Sequence, residues 1–501
     1  MQFRLNRSVA VSAVLVGIWC SSALAFDFTK LQNSVVEHTL KNGLKVLVME
    51  RHEAPVASFV TYVNAGAVDD PKGYTGIAHM FEHMAFKGTS TLGTKDWEAE
   101  QKLMAIEDSI FMLLRDERNR GRFADSVKIA ALTAAYEEAR EKSYELVVPN
   151  AFGQLVEREG AVGLNAGTGE DNTVYFYSLP SNKAELWFAT ESERFLAPVF
   201  REMYKERDVV AEERRMRIES SPIGRMVEEF LTLSFKAHPY GVSGIGNMSD
   251  IQYYSREEAK AFFQKYYAPA NAVVVVVGDV KADAIFALAE KYFGRIPYRP
   301  APPRIATVEP PQQGERRSFM EDPSQPVYLA GWHVPDECSP ERPSLDALTD
   351  YLASGRTSIL YKTMVKEKKI AVQVQALTGF PGDKYPNLFG VFAVPAAGHD
   401  NDECEKEILD AVEKLKSELI PLEEVKRIQA RAKARFINQL GGNQGLAFQL
   451  AGYQTQWGDW REMFRELDRI NAVTPESIQK VAQKYLTKLN RTVVLMNTSK
   501  S

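Results

Sequence analysis

Cysteine and histidine are scarce in this chain. Three cysteines among 501 residues exclude a small disulfide-stapled scaffold, which needs a far denser set of thiols. No long membrane-spanning run is present: the apolar stretch near the N-terminus, Val9 to Ile18, falls short of the roughly 20 residues that cross a bilayer. Nowhere do five or six like charges follow one another, and the formal net charge is −5, so the chain carries no arm suited to nucleic acid. With 45% hydrophobic and 25% charged residues, what is there is ordinary globular material, long enough for more than one domain.

The short apolar stretch has the flanks of a secretory leader. Arg4 and Arg7 precede it, and Ala23-Leu24-Ala25, a small-x-small cleavage signature, follows. A signal peptide over residues 1–25 is expected, and with it a periplasmic or secreted mature protein that has no membrane span once the leader is removed. Cys338 and Cys404 then remain, each after an Asp-Glu pair. In an oxidising compartment they form either one disulfide or two free thiols, and neither belongs to a metal-spaced cluster.

An internal repeat organises the rest. Ser255-Arg256-Glu257-Glu258 through Gln264-Lys265-Tyr266, Asn271 and Val273 to Val277 recurs as Thr474-Pro475-Glu476-Ser477 through Gln483-Lys484-Tyr485, Asn490 and Thr492 to Met496, a constant offset of 219. Both copies read as a capped helix followed by a buried strand. Earlier, Val56 to Asn64 and a helix ending at Lys87-Gly88-Thr89 pair with Pro326 to Val334 and a helix ending at Ser354-Gly355-Arg356, at an offset of 267. The first half therefore carries about 48 residues that the second lacks. Residues 96–144, free of proline and spaced like amphipathic helices, are the candidate: an inserted helical hairpin, read as a solvated elaboration. Pro297 to Pro303, with Pro310-Pro311 beyond, is a proline-dense linker over 297–316. The expected fold class is α+β, with two homologous domains at 26–296 and 317–501, each a largely antiparallel sheet packed with helices.

Two of the seven histidines stand in Gly76-Ile77-Ala78-His79-Met80-Phe81-Glu82-His83. Residues four apart share a helical face, so His79 and His83 can both point at one ion. Glu82, three residues after His79, can reach a water at that ion without being a ligand. This H-x-x-E-H order is the inverted zinc-hydrolase motif. A catalytic zinc takes a third protein ligand. Tyr204 to Glu219 is a highly charged helix in which Glu206 and Glu213, seven apart, share a face; by itself such a helix is commonly a solvated surface.

These residues resemble the insulinase or pitrilysin family of inverted-motif zinc metallopeptidases, in the branch of the mitochondrial processing peptidase β subunit, and the resemblance covers almost the whole mature chain. It implies a zinc metalloendopeptidase. The family's E-R-x-x-x-x-x-E segment matches Glu206 to Glu213, which makes Glu213 the implied third ligand beside His79 and His83, and Glu206 a supporting carboxylate. Glu212 is the competitor, turned about 100° from the Glu206 face. The inserted hairpin accounts for a His83 to Glu213 spacing longer than the family's. Glu82 is then the catalytic residue that takes a proton from water and returns it to the leaving amine. Gly163 to Thr168 followed by Asn172 to Phe176 resembles the family's N-A-x-T segment, which implies substrate binding at Asn165 and Ala166 on an edge strand.

The second half is expected to be inactive. His79, Glu82 and His83 correspond there to Asp346, Thr349 and Asp350, and Glu213 to Ala432. One departure from the family concerns an Arg and a Tyr seven residues apart that complete the substrate site; here Val365 and Val372 stand in those places. A related partner subunit that carries the pair is implied, or else a homodimer. The rival reading, a non-catalytic structural or regulatory subunit of the same fold, predicts a degraded motif, and this motif is intact. A peptide-binding protein that keeps zinc but turns over slowly is a third reading.

Overall fold

The computed structural model describes residues 28–499; the leader expected over residues 1–25 lies outside them. Strands β1 (Val35–Thr39), β2 (Lys45–Glu50), β3 (Val56–Val63), β4 (Val162–Thr168), β5 (Thr173–Pro180) and β6 (Ala272–Gly278) form the first sheet, in the spatial order β1-β2-β6-β3-β5-β4. Strands β7 (Arg316–Asp322), β8 (Val327–Val334), β9 (Ala371–Phe380), β10 (Asn387–Pro395) and β11 (Arg491–Thr498) form the second, in the order β7-β11-β8-β10-β9. Each sheet has one parallel pair, β2 with β6 and β7 with β11, and is otherwise antiparallel, as the α+β reading requires. The central strand β6 is an unbroken valine run because both of its faces are covered and every residue is buried.

The helices around the site in the first half are α1 (Ile77–His83), the hairpin α2 (Trp97–Asn119) and α3 (Ser126–Glu145), α4 (Met203–Arg214), α5 (Pro222–Ser234) and α6 (Arg256–Tyr266). Their counterparts in the second are α7 (Arg342–Ala353), α8 (Leu422–Gln439), α9 (Asn443–Trp457) and α10 (Pro475–Tyr485). The repeat is visible bond by bond. After α6 the Asn271 side-chain amide donates to the carbonyls of Tyr266 at 2.9 Å and Asn64 at 3.2 Å. After α10 that of Asn490 donates to Tyr485 and His333, both at 2.9 Å. Strand register adds a correction: Val63 faces Ala272 and Trp332 faces Arg491, so the strands are 269 residues apart, not 267. The connection from strand to helix is two residues shorter in the second half.

The halves exchange helices. Met226, Phe230 and Leu231 of α5 join Val327, Leu329 and Val494 of the second sheet in one apolar cluster. Leu446, Ala447 and Leu450 of α9 join Val60, Val273 and Val275 of the first. Residues 297–315 carry no helix or strand beyond the first half, yet the linker is pinned. The Glu309 carboxylate accepts the backbone N–H groups of Lys236, Ala237 and His238 at 2.8 to 3.0 Å.

The inserted hairpin is present, its base closed by a bridge between Thr94 and Val147 and its helices capped by Asp96 and Asp125. It is not the solvated elaboration its polar composition suggests. One face of α2 buries Glu100, Met104, Glu107 and Phe111. Its buried glutamates are paired: Glu107 with Arg256 at 2.6 Å and Glu100 with Arg201 at 2.6 Å. Both remaining cysteines are free thiols, Cys338 exposed and Cys404 buried.

Candidate metal centre

The histidine helix starts where its backbone donors are satisfied. The Asp70 carboxylate accepts the N–H of Gly76 at 2.6 Å and of Ala78 at 2.9 Å, capping the first turn of α1. Gly76 is held at φ +88, and a Cβ there would meet the carbonyl oxygen of Ile245 at 2.4 Å, so the turn into α1 needs glycine. Ile77, Met80 and Phe81 anchor the helix in the core. His79 and His83 share the remaining face, with ring centroids 4.9 Å apart and planes near perpendicular at 89°.

Both rings aim Nε2 at one carboxylate oxygen. Oε2 of Glu213, on α4, lies 3.7 Å from His79 Nε2 and 3.2 Å from His83 Nε2. Ligand atoms on a tetrahedral zinc sit roughly 3.4 Å apart, so the spacing and the two-imidazole, one-carboxylate chemistry fit that ion. Among the described residues this trio is the group of His, Cys, Asp and Glu side chains whose ligand atoms gather within 4.8 Å. Glu212 does not compete, being exposed and paired with Arg215 at 2.6 Å.

The surroundings sort the protonation states. Burial and the neighbouring His83 hold His79 well below the usual imidazole range, in the neutral form that a ligand needs. Burial also pulls His83 down, but the hydrogen bond to Glu206 and the charges of Glu213, Glu206 and Glu82 outweigh it, leaving its pKa raised. Glu206 Oε2 stands 3.4 Å from His83 Nδ1, the carboxylate–histidine arrangement that fixes a ligand's tautomer. Burial raises Glu206, and His83 and Lys87 more than reverse it. Lys87 reaches Glu206 Oε1 at 2.5 Å and Glu202 at 3.3 Å.

Comparison with known proteins finds relatives named as zinc proteases. Residues 45–110 match the insulinase family, peptidase family M16, and residues 253–432 match the peptidase M16 inactive domain. A zinc protease PqqE of Helicobacter pylori is 29% identical over 99% of this chain and 99% of its own length. The chain belongs to the insulinase family. A mitochondrial-processing peptidase β subunit of Lentinula edodes, in the branch that the sequence resembles, is 22% identical over 89% of this chain and 86% of its own. The crystal structure of a protease from Helicobacter pylori superposes with a TM-score of 0.77 at 27% identity, covering 92% of this chain and 99% of that one.

In this insulinase-family chain Glu82 stays outside the donor trio. Its Oε2 accepts the backbone N–H of Thr168 at 2.7 Å, which ties α1 to the end of β4. Strand β4 is one of the two edge strands of the first sheet, β1 being the other. Asn165 is exposed on it, and Ala166 is buried opposite Tyr175. The second half reverses the chemistry. Asp350 of α7 accepts from Arg431 and, at 2.8 Å, from Arg435 of α8, and Thr349 meets Thr378 of β9 at 2.8 Å where the first half has Glu82 and Thr168. A cavity of about 480 Å³ lies at this place, lined by Asp346, Asp350, Ala432 and Arg435 among others. Sequence reasoning missed Lys87 and Arg217, which pairs with Glu213 at 2.7 Å. A single cation after a histidine motif carries no pattern of its own.

Proposed function

We propose that the chain is a zinc-dependent endopeptidase that hydrolyses peptides or unfolded polypeptides outside the cytoplasm. The observation that carries this is the convergence of His79, His83 and Glu213 on one point, with the carboxylate of Glu82 beside them and uncommitted to the trio. Zinc held there would supply Lewis-acid polarisation of a carbonyl and acidification of water. Glu82 takes the proton of the attacking water and returns it to the leaving amine. Glu206 accepts from Nδ1 of His83 and keeps that ring turned. The free edge of β4 receives the substrate backbone as an added strand, with Asn165 and Ala166 alongside the scissile bond.

The leader-like residues 1–25 support an exported enzyme, and among the described residues no helix is long and apolar enough to cross a membrane. Val365 lies on a single helical stretch and Val372, 58% exposed, on β9; a second copy carries the same valines, so either a related subunit supplies the Arg and Tyr of the family pattern or the enzyme is a homodimer that works without them. The intact motif argues against the non-catalytic subunit reading.

The test pairs zinc content per mole of purified mature protein with cleavage of a quenched fluorescent peptide library. Near one zinc with cleavage that chelator dialysis abolishes is expected. One zinc without cleavage directs the search to a partner, and no zinc at all would favour the structural subunit.

A further inference from the structure

The metal reading above leaves open what sets the distance between the histidine helix and the glutamate helix, which are far apart in sequence and separated by the hairpin. Arg201, two residues before α4, is 1% exposed and uses all five of its donors. Nε and Nη2 grip the two carboxylate oxygens of Glu100 at 2.6 and 3.0 Å. Nη1 donates to the carbonyls of Lys87 at 2.6 Å and Leu92 at 3.0 Å, and Nη2 also donates to that of Thr89 at 3.1 Å.

These contacts join three segments. The loop that leaves α1 wraps the guanidinium, the hairpin supplies the counter-charge, and the backbone of Arg201 leads into α4. The loop is shaped for it: Gly88 and Gly93 have φ of +85 and +91, and a Cβ on Gly93 would meet Arg201 Nη1 at 2.8 Å. The backbone on either side departs from ordinary conformations, with Phe200 at φ +47 and Glu202 at φ +58. Two left-handed non-glycine residues flanking a single position are retained only when the surroundings impose them. Here they drive one arginine inward between the ligand-bearing helices.

We infer that Arg201, paired with Glu100 of the inserted hairpin, is a positioning residue for the metal centre: it fixes α4, and with it Glu213 and Glu206, against the end of α1. The inference rests on the zinc reading. The hairpin is then a functional brace, and its Glu100 acts on the site without touching it.

The experiment uses the full mature protein and two variants, Arg201→Lys, which keeps the charge and loses the fork, and Glu100→Gln, which keeps the shape and loses the charge. Zinc affinity is measured by competition with a chelator of known affinity, and the cobalt-substituted forms are compared by their visible absorption bands. Both variants are expected to bind zinc about tenfold more weakly, the lower end of what loss of a supporting shell costs, with altered cobalt bands. A merely structural role would lower the melting temperature alone, as Asp350→Asn in the second half should. Wild-type zinc affinity and unchanged cobalt bands in the variants would overturn the inference. If Arg201→Lys does not fold, Glu100→Gln decides by the same two readouts. A wild type that binds no zinc would instead remove the metal reading itself, and this inference with it.

Discussion

The backbone N–H of Thr168 donates to the carboxylate of Glu82 at 2.7 Å, so the group placed to move protons and the strand placed to hold a peptide are fixed to each other. Glutamine at position 82 can still accept that hydrogen bond but cannot take a proton. Glu82→Gln should therefore lower the cleavage rate by roughly 10² to 10⁴ while zinc content stays at the wild-type value. Metal analysis beside a peptide assay measures both, and activity retained in this variant would overturn the assignment. His83→Ala, by contrast, should lose metal and activity together.

The second half predicts a stoichiometry. Asp350, 3% exposed, is committed to Arg431 and Arg435, and Ala432 offers no ligand where Glu213 stands in the first half. One zinc per chain is expected, not two. Asp350→Asn leaves the two arginines short of a partner. Since both are partly exposed, at 38% and 56%, the cost should be modest, about 1 to 2 kcal/mol, read as a lower melting temperature with zinc content unchanged. A second zinc in the wild type would contradict the correspondence.

What the sequence made legible follows from periodicity and spacing. His79 and His83 declare a shared face by being four apart, and the valine run of β6 declares a strand covered on both faces. Glu213 was less accessible. Seven-residue spacing from Glu206 made a face but not a site, and only the family's pattern chose Glu213 over Glu212. The hairpin was found by its length and misjudged in its role, because Glu100 and Glu107 look like surface residues in a charged helix. Their partners, Arg201 and Arg256, stand more than 100 residues away, and no local pattern records a long-range ion pair. The exchange of α5 and α9 was hidden for the same reason. An amphipathic helix shows that it has an apolar face, not which sheet it covers.

A half-buried carboxyl gives a pH dependence. Glu170, in the turn from β4 to β5, has its pKa raised from 4.5 to about 8 by burial and by the charges of Asp171 and Asp70, with the N–H of Gly244 as partial relief. The folded state keeps a proton that the unfolded chain has released between those values, so this group's contribution to stability falls as the pH climbs from about 4.5 to 8. Glu170→Gln removes that dependence. The variant should be more stable than wild type at pH 8, by an amount on the order of a few kcal/mol, and close to it at pH 5. Melting temperatures at the two pH values test this, and an equal offset at both would show that the carboxyl is not the source.

The exchanged helices make the two halves thermodynamically inseparable even though a linker joins them. Phe230 and Leu231 of α5 are within 3% of full burial against the second sheet, and Leu446 and Leu450 of α9 within 1% against the first. Each such side chain is worth about 2 kcal/mol in water removed from apolar surface, and separating the halves exposes one face of both sheets at once. Cutting the chain between Ala301 and Arg304, at an engineered protease site, should leave two fragments that elute together in gel filtration with near-native circular dichroism. Residues 26–300 expressed alone should be insoluble or unfolded and become soluble on co-expression with 301–501. Two fragments that separate as folded monomers would show that the exchanged helices hold less than their burial implies.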